Sequence, residues 1–360
     1  METPSPVEPG SVAELALGRP VGAAAIERRT SVAYDPYLPG RSVERVDGVA
    51  RLADGETGSW SAIVKRTEGP GLRAARRELD AYRLGIADAR PVSGLRAPRL
   101  LGWHEAPETV ELWLEVLADG HGGRWTSGRF GAAARHIAAA DARLRDLDVP
   151  AMFDSEDAWA ERHGQPERLD EALAELHHVR RAGDARALAQ LVGDPGFRRT
   201  EDLIVTTPAR IARLGALPTT LMHHDLVRSN LFALGPDSTG AIDWENVGRG
   251  PLGVDLAPLV SGSVRRGEAS ADDLPALERR VLEGYGSGLR AAGIEPDAGI
   301  RRAFRLAIGL RWHVVLGTLR SWLDPTSWGM RGSRRDEPRD ESLRHLLALT
   351  RYILDTGEPA

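Results

Sequence analysis

The stretch from His223 to Asn230, HHDLVRSN, combines side chains that can do acid–base and metal chemistry. Its asparagine is one of only two in 360 residues. Asp243 follows thirteen residues after Asn230 and ends a short apolar run. Two strands joined by a turn would set Asn230 and Asp243 side by side, and a carboxylate with an amide oxygen suits Mg²⁺, which prefers oxygen ligands. Asp225 is then left to accept the proton of a hydroxyl nucleophile.

The chain has a single lysine, Lys65, so 46 of its 47 basic residues are arginines. Lys65 ends the apolar run 60–64, and Glu78 lies 13 residues further on, in a predicted helix. A compact ammonium reaches phosphate oxygens as a point charge, whereas a guanidinium is a bulkier planar fork. One base, two metal ligands and a cation on the phosphates form the set that phosphoryl transfer requires. The alternative is that one lysine falls at a strand end by chance and has no catalytic role.

These motifs resemble those of the aminoglycoside phosphotransferase and choline kinase family, whose fold is bilobal and protein-kinase-like. His223, Asp225 and Asn230 match the family's HxDxxxxN loop, and Asp243 in IDWE matches its metal-binding aspartate. The resemblance implies that Asp225 is the catalytic base and that Asn230 and Asp243 hold Mg²⁺. It also implies ATP or GTP as the phosphoryl donor and a small hydroxylated molecule as the acceptor.

The same resemblance assigns supporting roles to other residues. Lys65 would contact the donor phosphates, with Glu78 as its partner on the helix. His223 and Asp255, the latter in GVDLA, would support the catalytic loop. Backbone groups would bind the nucleotide base at Glu115, Val116 and Leu117.

An acceptor pocket is expected between the catalytic loop and the C-terminal helices. The residues assigned to it by position alone are Asp119, Glu245, Trp322, Asp324 and Trp328.

Three features depart from the family pattern. His224 stands where the family usually has glycine, and its side chain could face solvent, substrate or Asp255. Gly248–Pro251 replaces the usual GDP after IDWE. No clear glycine-rich phosphate loop is present, and residues 37–41, YLPGR, are the best candidate.

The fold class predicted from the pattern is α+β, with a small β-rich lobe over residues 1–117 and a larger, mostly helical lobe over 118–360. Residues 1–10 are predicted to be disordered, and Ser11 is predicted to cap a short helix to Leu17. The predicted strands of the first lobe are 24–29, 42–51, 60–65, 98–105 and 109–117, with one helix over 72–84. The predicted helices of the second lobe are 129–147, 166–183, 196–214, 270–291, 297–321 and 339–355. Short strands are predicted at 220–223, 231–234 and 240–244.

Composition excludes several classes of protein. The net charge of −5 argues against nucleic acid as a partner. The chain has no cysteine, so disulfides and thiolate chemistry are ruled out. No run of about 18 apolar residues occurs, so no membrane partner is expected. We therefore expect the protein to be cytoplasmic.

A rival motif lies at Gly248–Gly253, which satisfies GxGxxG. A dinucleotide fold also needs a second parallel strand that ends in an acid about 20 residues on. Residues 264–275 are polar and contain no continuous apolar run that could form such a strand, which disfavours an oxidoreductase.

The sequence thus predicts an ATP- or GTP-dependent O-phosphotransferase whose acceptor is an antibiotic. One alternative is a kinase of a primary metabolite such as a sugar, an amino alcohol or homoserine. Another, from a different class, is a pseudokinase that binds nucleotide without turnover.

Overall fold

The computed structural model describes residues 7–32, 39–88, 94–120, 124–153, 163–182, 192–323 and 337–357. The chain divides into two units. The first unit takes residues 1–92, 96–120 and 240–247, and the second takes 93–95, 121–239 and 248–360. This division differs from a single cut at residue 117, because the segment 240–247 with Asp243 belongs to the first unit.

The first unit is built on a five-stranded antiparallel sheet with the order β1-β2-β3-β6-β5. Its strands are β1 (Val21–Ser31), β2 (Arg41–Leu52), β3 (Thr57–Glu68), β5 (Leu100–Ala106) and β6 (Thr109–Glu115). Its helices are α1 (Pro9–Leu17) and α2 (Leu72–Arg83). The predicted β-rich lobe with its charged helix is confirmed, and each observed strand covers most of its predicted span.

Alternation along the strands gives the sheet two different faces. One face packs Val46, Trp60 and Val64 with Val12 of α1. The opposite face packs residues of α2 and β6, which are Ala75, Leu79, Val110, Leu112 and Leu114. Lys65 alternates with Val64 and is paired with Leu112 across the sheet, so its side chain is on the α2 face.

The start of the chain differs from the prediction. Helix α1 begins at Pro9, its N-cap is Glu8, and no side chain caps it. Ser11 is therefore inside the helix, and residues 9 and 10 are helical rather than disordered. Proline suits the first turn because its missing N–H has no partner there. Residues 1–6 lie outside the described part.

Two of the boundaries between the units fall within short strands, which are β4 (Leu95–Arg96) and β9 (Ser238–Ala241). The second unit also contains β7 (Thr219–Met222), β8 (Leu231–Gly235) and β10 (Gly248–Pro251). Strand β10 pairs antiparallel with β7, and its GxGxxG residues therefore form a strand rather than a dinucleotide-binding turn.

Helices make up most of the second unit. They are α3 (Ser127–Leu144), α4 (Pro166–Ala182), α5 (Gly193–Val205), α6 (Thr207–Gly215), α7 (Leu274–Ala291), α8 (Ala298–Gly309), α9 (Trp312–Leu323) and α10 (Arg339–Thr356). The predicted helix 196–214 is divided at Thr206, and the predicted helix 297–321 is divided at residues 310–311. No helix among the described residues has the length and apolarity needed to cross a lipid bilayer.

Helices α3 and α7 approach at backbone distance through glycines. A Cβ built on Gly284 would lie 2.0 Å from the carbonyl oxygen of Gly131. A Cβ on Gly288 would lie 2.2 Å from the carbonyl oxygen of Arg135. The stretch GYGSG at 284–288 thus allows close packing of the two helices.

Candidate active site

The single lysine is held between two carboxylates of the first unit. Lys65 Nζ lies 2.8 Å from Glu78 Oε1 and also donates to Asp243 Oδ1. Glu78 shares a face of α2 with Ala75 and Leu79 because residues three and four apart on a helix are neighbours. The Glu78 side chain is 3% exposed and that of Lys65 is 14% exposed. The group joins one cation to two acids, of which Glu78 is the most deeply buried and Asp243 is partly exposed.

Opposing effects act on the pKa of Lys65. Burial lowers it, but the nearby carboxylates of Asp243 and Glu78 outweigh burial and raise the pKa well above its ordinary value. The ammonium is therefore charged throughout the physiological range.

Asp243 has an unusual backbone. Its φ is 64°, in the left-handed region that non-glycine residues rarely adopt. The preceding strand ends at Ala241 rather than at Trp244 as predicted, and residues Trp244–Asn246 form one turn of 3₁₀ helix. The Trp244 N–H donates to Glu78 Oε1 at 3.3 Å, which ties this turn to α2. Strained backbone of this kind is a recurring property of functional sites.

Two other predicted residues of the first unit have ion-pair partners. Glu245 Oε2 lies 2.6 Å from Arg41 Nη1. Glu115, in the predicted base-binding segment, accepts from Arg96 Nη1 at 2.7 Å and from the Arg99 N–H at 3.1 Å. Val116 and Leu117 follow the end of β6 and are half-buried.

In the second unit, Asn230 contacts the proposed base directly. Its Nδ2 donates to the carbonyl oxygen of Asp225 at 2.9 Å and to Asp225 Oδ2 at 3.1 Å. The amide nitrogen must face the carboxylate, because the reverse orientation would bring two acceptors together. The Oδ1 of Asn230 then faces away from this carboxylate oxygen.

Asp255 holds the backbone of the catalytic loop. Its Oδ2 accepts from the N–H of His223 at 3.0 Å and of His224 at 3.2 Å. His223 Nδ1 accepts from the Asp225 N–H at 3.3 Å, which requires the neutral Nε2–H tautomer. Both residues thus bond to the backbone of residues 223–225, and their supporting role stays a prediction.

His224 replaces a glycine at a position where the backbone favours glycine. Its φ is 65°, and its side chain is almost fully buried. Its Nε2 donates to the carbonyl oxygen of Arg249 at 3.2 Å. The ring packs on Gly250, where an added Cβ would lie 2.7 Å from His224 Cε1. The glycines of GRGP therefore make room for an imidazole that the family pattern lacks.

Sequence reasoning missed a buried chain of hydrogen bonds beneath this loop. Tyr285 Oη donates to Asp141 Oδ2 at 2.7 Å and accepts from the Gly253 N–H at 3.1 Å. Burial, together with the charge of Asp255, raises the pKa of Asp141 well above its ordinary value. The sequence signal that could have indicated this chain is Asp141 itself, the one acid in the alanine-rich helix α3.

The acceptor-pocket predictions have different outcomes. Asp119 and Trp322 are half-buried, in the first and second units respectively. Asp324 and Trp328 lie outside the described residues. These assignments stay predictions.

The donor atoms fit the chemistry of magnesium. Asp243 offers a carboxylate in the first unit, and Asn230 offers an amide oxygen in the second. Both are the hard oxygen ligands that Mg²⁺ selects.

Comparison with known proteins identifies the family. The model of the phosphotransferase enzyme family APH matches residues 37–294, which is more than half of the chain. The chain belongs to the APH family. It is accordingly a small-molecule phosphotransferase. No curated protein sequence matches the chain.

Solved structures of this family share the fold. An aminoglycoside phosphotransferase from Alicyclobacillus acidocaldarius is 12% identical, with a TM-score of 0.55 over 98% of this chain and 96% of that one. An amicoumacin kinase in complex with AMP-PNP, Ca²⁺ and Ami is 14% identical, with a TM-score of 0.50 over 91% of this chain and 88% of that one. The aminoglycoside phosphotransferase APH(3'')-Id from Streptomyces rimosus is 21% identical, with a TM-score of 0.45 over 79% and 92% of the two chains. The predicted α+β protein-kinase-like fold is confirmed.

Proposed function

We propose that this APH-family protein transfers the γ-phosphoryl group of ATP or GTP to a hydroxyl of an antibiotic, as a resistance or self-resistance kinase. Family membership supports phosphotransfer to a small molecule. The antibiotic acceptor is supported by the Asp-Trp-Glu-Asn context of Asp243, which resembles antibiotic kinases more than choline kinases. The cytoplasm is the proposed compartment, since donor nucleotides are abundant there.

The observation that carries the proposal is the contact between Asn230 and Asp225. The amide of Asn230 holds the carboxylate through Oδ2 at 3.1 Å, so Asp225 is oriented before substrate arrives. The proton of the acceptor hydroxyl would pass to Oδ1 of Asp225, the oxygen that does not accept from Asn230. A positioned base of this kind contributes about 10²–10⁴-fold to a rate.

Lys65 and Glu78 account for the donor side of the proposal. Lys65 would hold phosphate oxygens of the donor, while Glu78 keeps the ammonium in place. Asn230 and Asp243 would hold Mg²⁺, which when bound neutralises charge on the phosphates. Little covalent chemistry falls to the protein, so positioning and charge stabilisation supply most of the rate.

The testing experiment is a transfer screen with γ-labelled ATP and GTP against a panel of hydroxylated antibiotics, sugars, amino alcohols and homoserine. The wild type is expected to label an antibiotic in a Mg²⁺-dependent reaction. Labelling of a sugar or amino alcohol alone would point to the metabolite kinase. Nucleotide binding without transfer to any acceptor would point to the pseudokinase.

Asp225→Ala tests the assignment of the base. Transfer is expected to fall by about 10²–10⁴-fold, while nucleotide affinity changes by less than about threefold. The matched control is Asp146→Asn, since Asp146 is 81% exposed in the same unit and should leave both unchanged. Transfer at near wild-type rate in Asp225→Ala would show that Asp225 is not the catalytic base.

A further inference from the structure

Arg41 lies in the same pocket as Lys65. This small pocket of the first unit is lined by both cations together with Glu78, Glu245 and hydrophobic residues of β6. Arg41 is the last residue of the YLPGR stretch, the best candidate for a phosphate loop in the sequence. Its side chain is 7% exposed, which is unusual for an arginine.

Strand register places the two cations on one face of the sheet. Val43 is paired with Lys65 across β2 and β3, and Arg41 with Thr67. Residues two apart on a strand point to the same side and are separated by about 7 Å. Linked phosphate groups can extend over such a distance and contact both side chains.

Gly71 leaves room for the guanidinium, and Gly40 shapes the turn that precedes Arg41. Gly40 has a φ of 78°, and an added Cβ would lie 2.4 Å from the carbonyl oxygen of Glu68. A Cβ on Gly71 would lie 2.6 Å from Arg41 Nε. A larger residue at position 71 would therefore meet the Arg41 side chain, whereas one at position 40 would meet the backbone of Glu68.

Glu245 holds Arg41 through a carboxylate in a partly buried pair. Phosphate is tetrahedral, but it too offers a pair of acceptor oxygens and carries more charge, and arginine binds both groups as a two-pronged donor. We infer that Arg41 is a second cationic contact to the donor's phosphates, and that Glu245 holds its guanidinium in the Lys65 pocket until nucleotide binds. This inference rests on the proposed function, because it requires a nucleoside triphosphate as donor.

The test compares the binding of Mg²⁺-ATP, Mg²⁺-GTP and adenosine by calorimetry in the wild type and four variants. Arg41→Gln is expected to weaken triphosphate binding at least tenfold and adenosine binding less than twofold. Arg41→Lys should restore part of the loss because it keeps the charge. Arg45→Gln is the matched control, since Arg45 is on the same strand, pairs with Asp47 and is 47% exposed. It should bind all three ligands as the wild type does.

Glu245→Gln separates a ligand contact from a structural ion pair. If Arg41 contacts phosphate, this variant binds triphosphate at least as tightly as the wild type, because the competing carboxylate is gone. Equal losses in Arg41→Gln and Glu245→Gln, or equal weakening of adenosine and triphosphate, would overturn the inference. A wild type that binds neither triphosphate would instead defeat the proposed function.

Discussion

At the scale of single residues, His224 adopts a left-handed backbone without being glycine. That conformation costs an ordinary residue about 1–2 kcal/mol. The hydrogen bond to the Arg249 carbonyl and the packing on Gly250 offset this cost. The imidazole thus ties the loop to β10, in addition to the hydrogen bonds that Asp255 accepts.

Two substitutions at this residue separate strain from packing. His224→Ala is expected to destabilise the protein more than His224→Gly, by about 1 kcal/mol, because alanine loses the packing and keeps the strain. Urea unfolding of the two variants measures the difference. An alanine variant as stable as the glycine variant would mean that the backbone at this position carries no strain.

The sequence predicted the chemistry of the residues better than their contacts. Lys65, Glu78 and Asp243 were found from type and spacing, and they meet in the first unit. The pair of Arg41 with Glu245 was not predicted, because the two residues are 204 positions apart and no local pattern reports such a pair. Asp141 and Tyr285 were missed for the same reason.

At the scale of elements, the contact between α3 and α7 depends on glycines. Gly284→Ala is expected to force these helices apart and to cost about 3 kcal/mol, because the new methyl would overlap a carbonyl oxygen. Gly286→Ala in the same helix is the control, since its nearest neighbour would be 3.6 Å away. This control should stabilise the protein by about 0.5–1 kcal/mol, because alanine has a higher helix propensity than glycine. Thermal unfolding of both variants measures which of them is more stable, and equal stabilities would contradict the prediction.

Element boundaries were predictable only where a local signal exists. Pro208 explains the break between α5 and α6, since proline donates no backbone hydrogen bond and restricts the residue before it. The break at residues 310–311 lies beside Gly309, where an added Cβ would lie 2.8 Å from Nε of the buried Arg210. That contact is tertiary, so the apolar periodicity of the sequence did not reveal it.

At the scale of the whole molecule, buried histidines make stability depend on pH. His136 is 4% exposed, and its Nδ1 lies 2.9 Å from Thr239 Oγ1. Burial, with the charges of Arg135 and Arg129, lowers its pKa to about 4. The unfolded chain therefore takes up a proton near pH 6.5 that the folded chain refuses, and stability is lost as pH falls from about 6.5 towards 4.

His136→Gln isolates this contribution. Between pH 7 and pH 5 the wild type should lose about 1–2 kcal/mol that the variant does not lose. Urea unfolding at the two pH values measures both losses. His313, whose pKa burial also lowers, is unchanged in the variant and contributes equally to both proteins. Identical pH dependence in the two proteins would show that His136 titrates normally when folded.

The division into units was also beyond local reasoning. A linear cut near residue 117 cannot assign 240–247 to the first unit, because that assignment depends on contacts such as the one from Trp244 to Glu78. Sequence periodicity reports how one element faces its neighbours, and not which distant segment joins it.

A chain with one lysine has a single side-chain target for reagents that acylate amines. In the folded protein that amine is enclosed and kept protonated by two carboxylates, so it is a poor nucleophile. Unfolding of the first unit would expose it and return its ordinary reactivity. The rate of Lys65 acylation, measured by mass spectrometry, would therefore report how often the first unit unfolds.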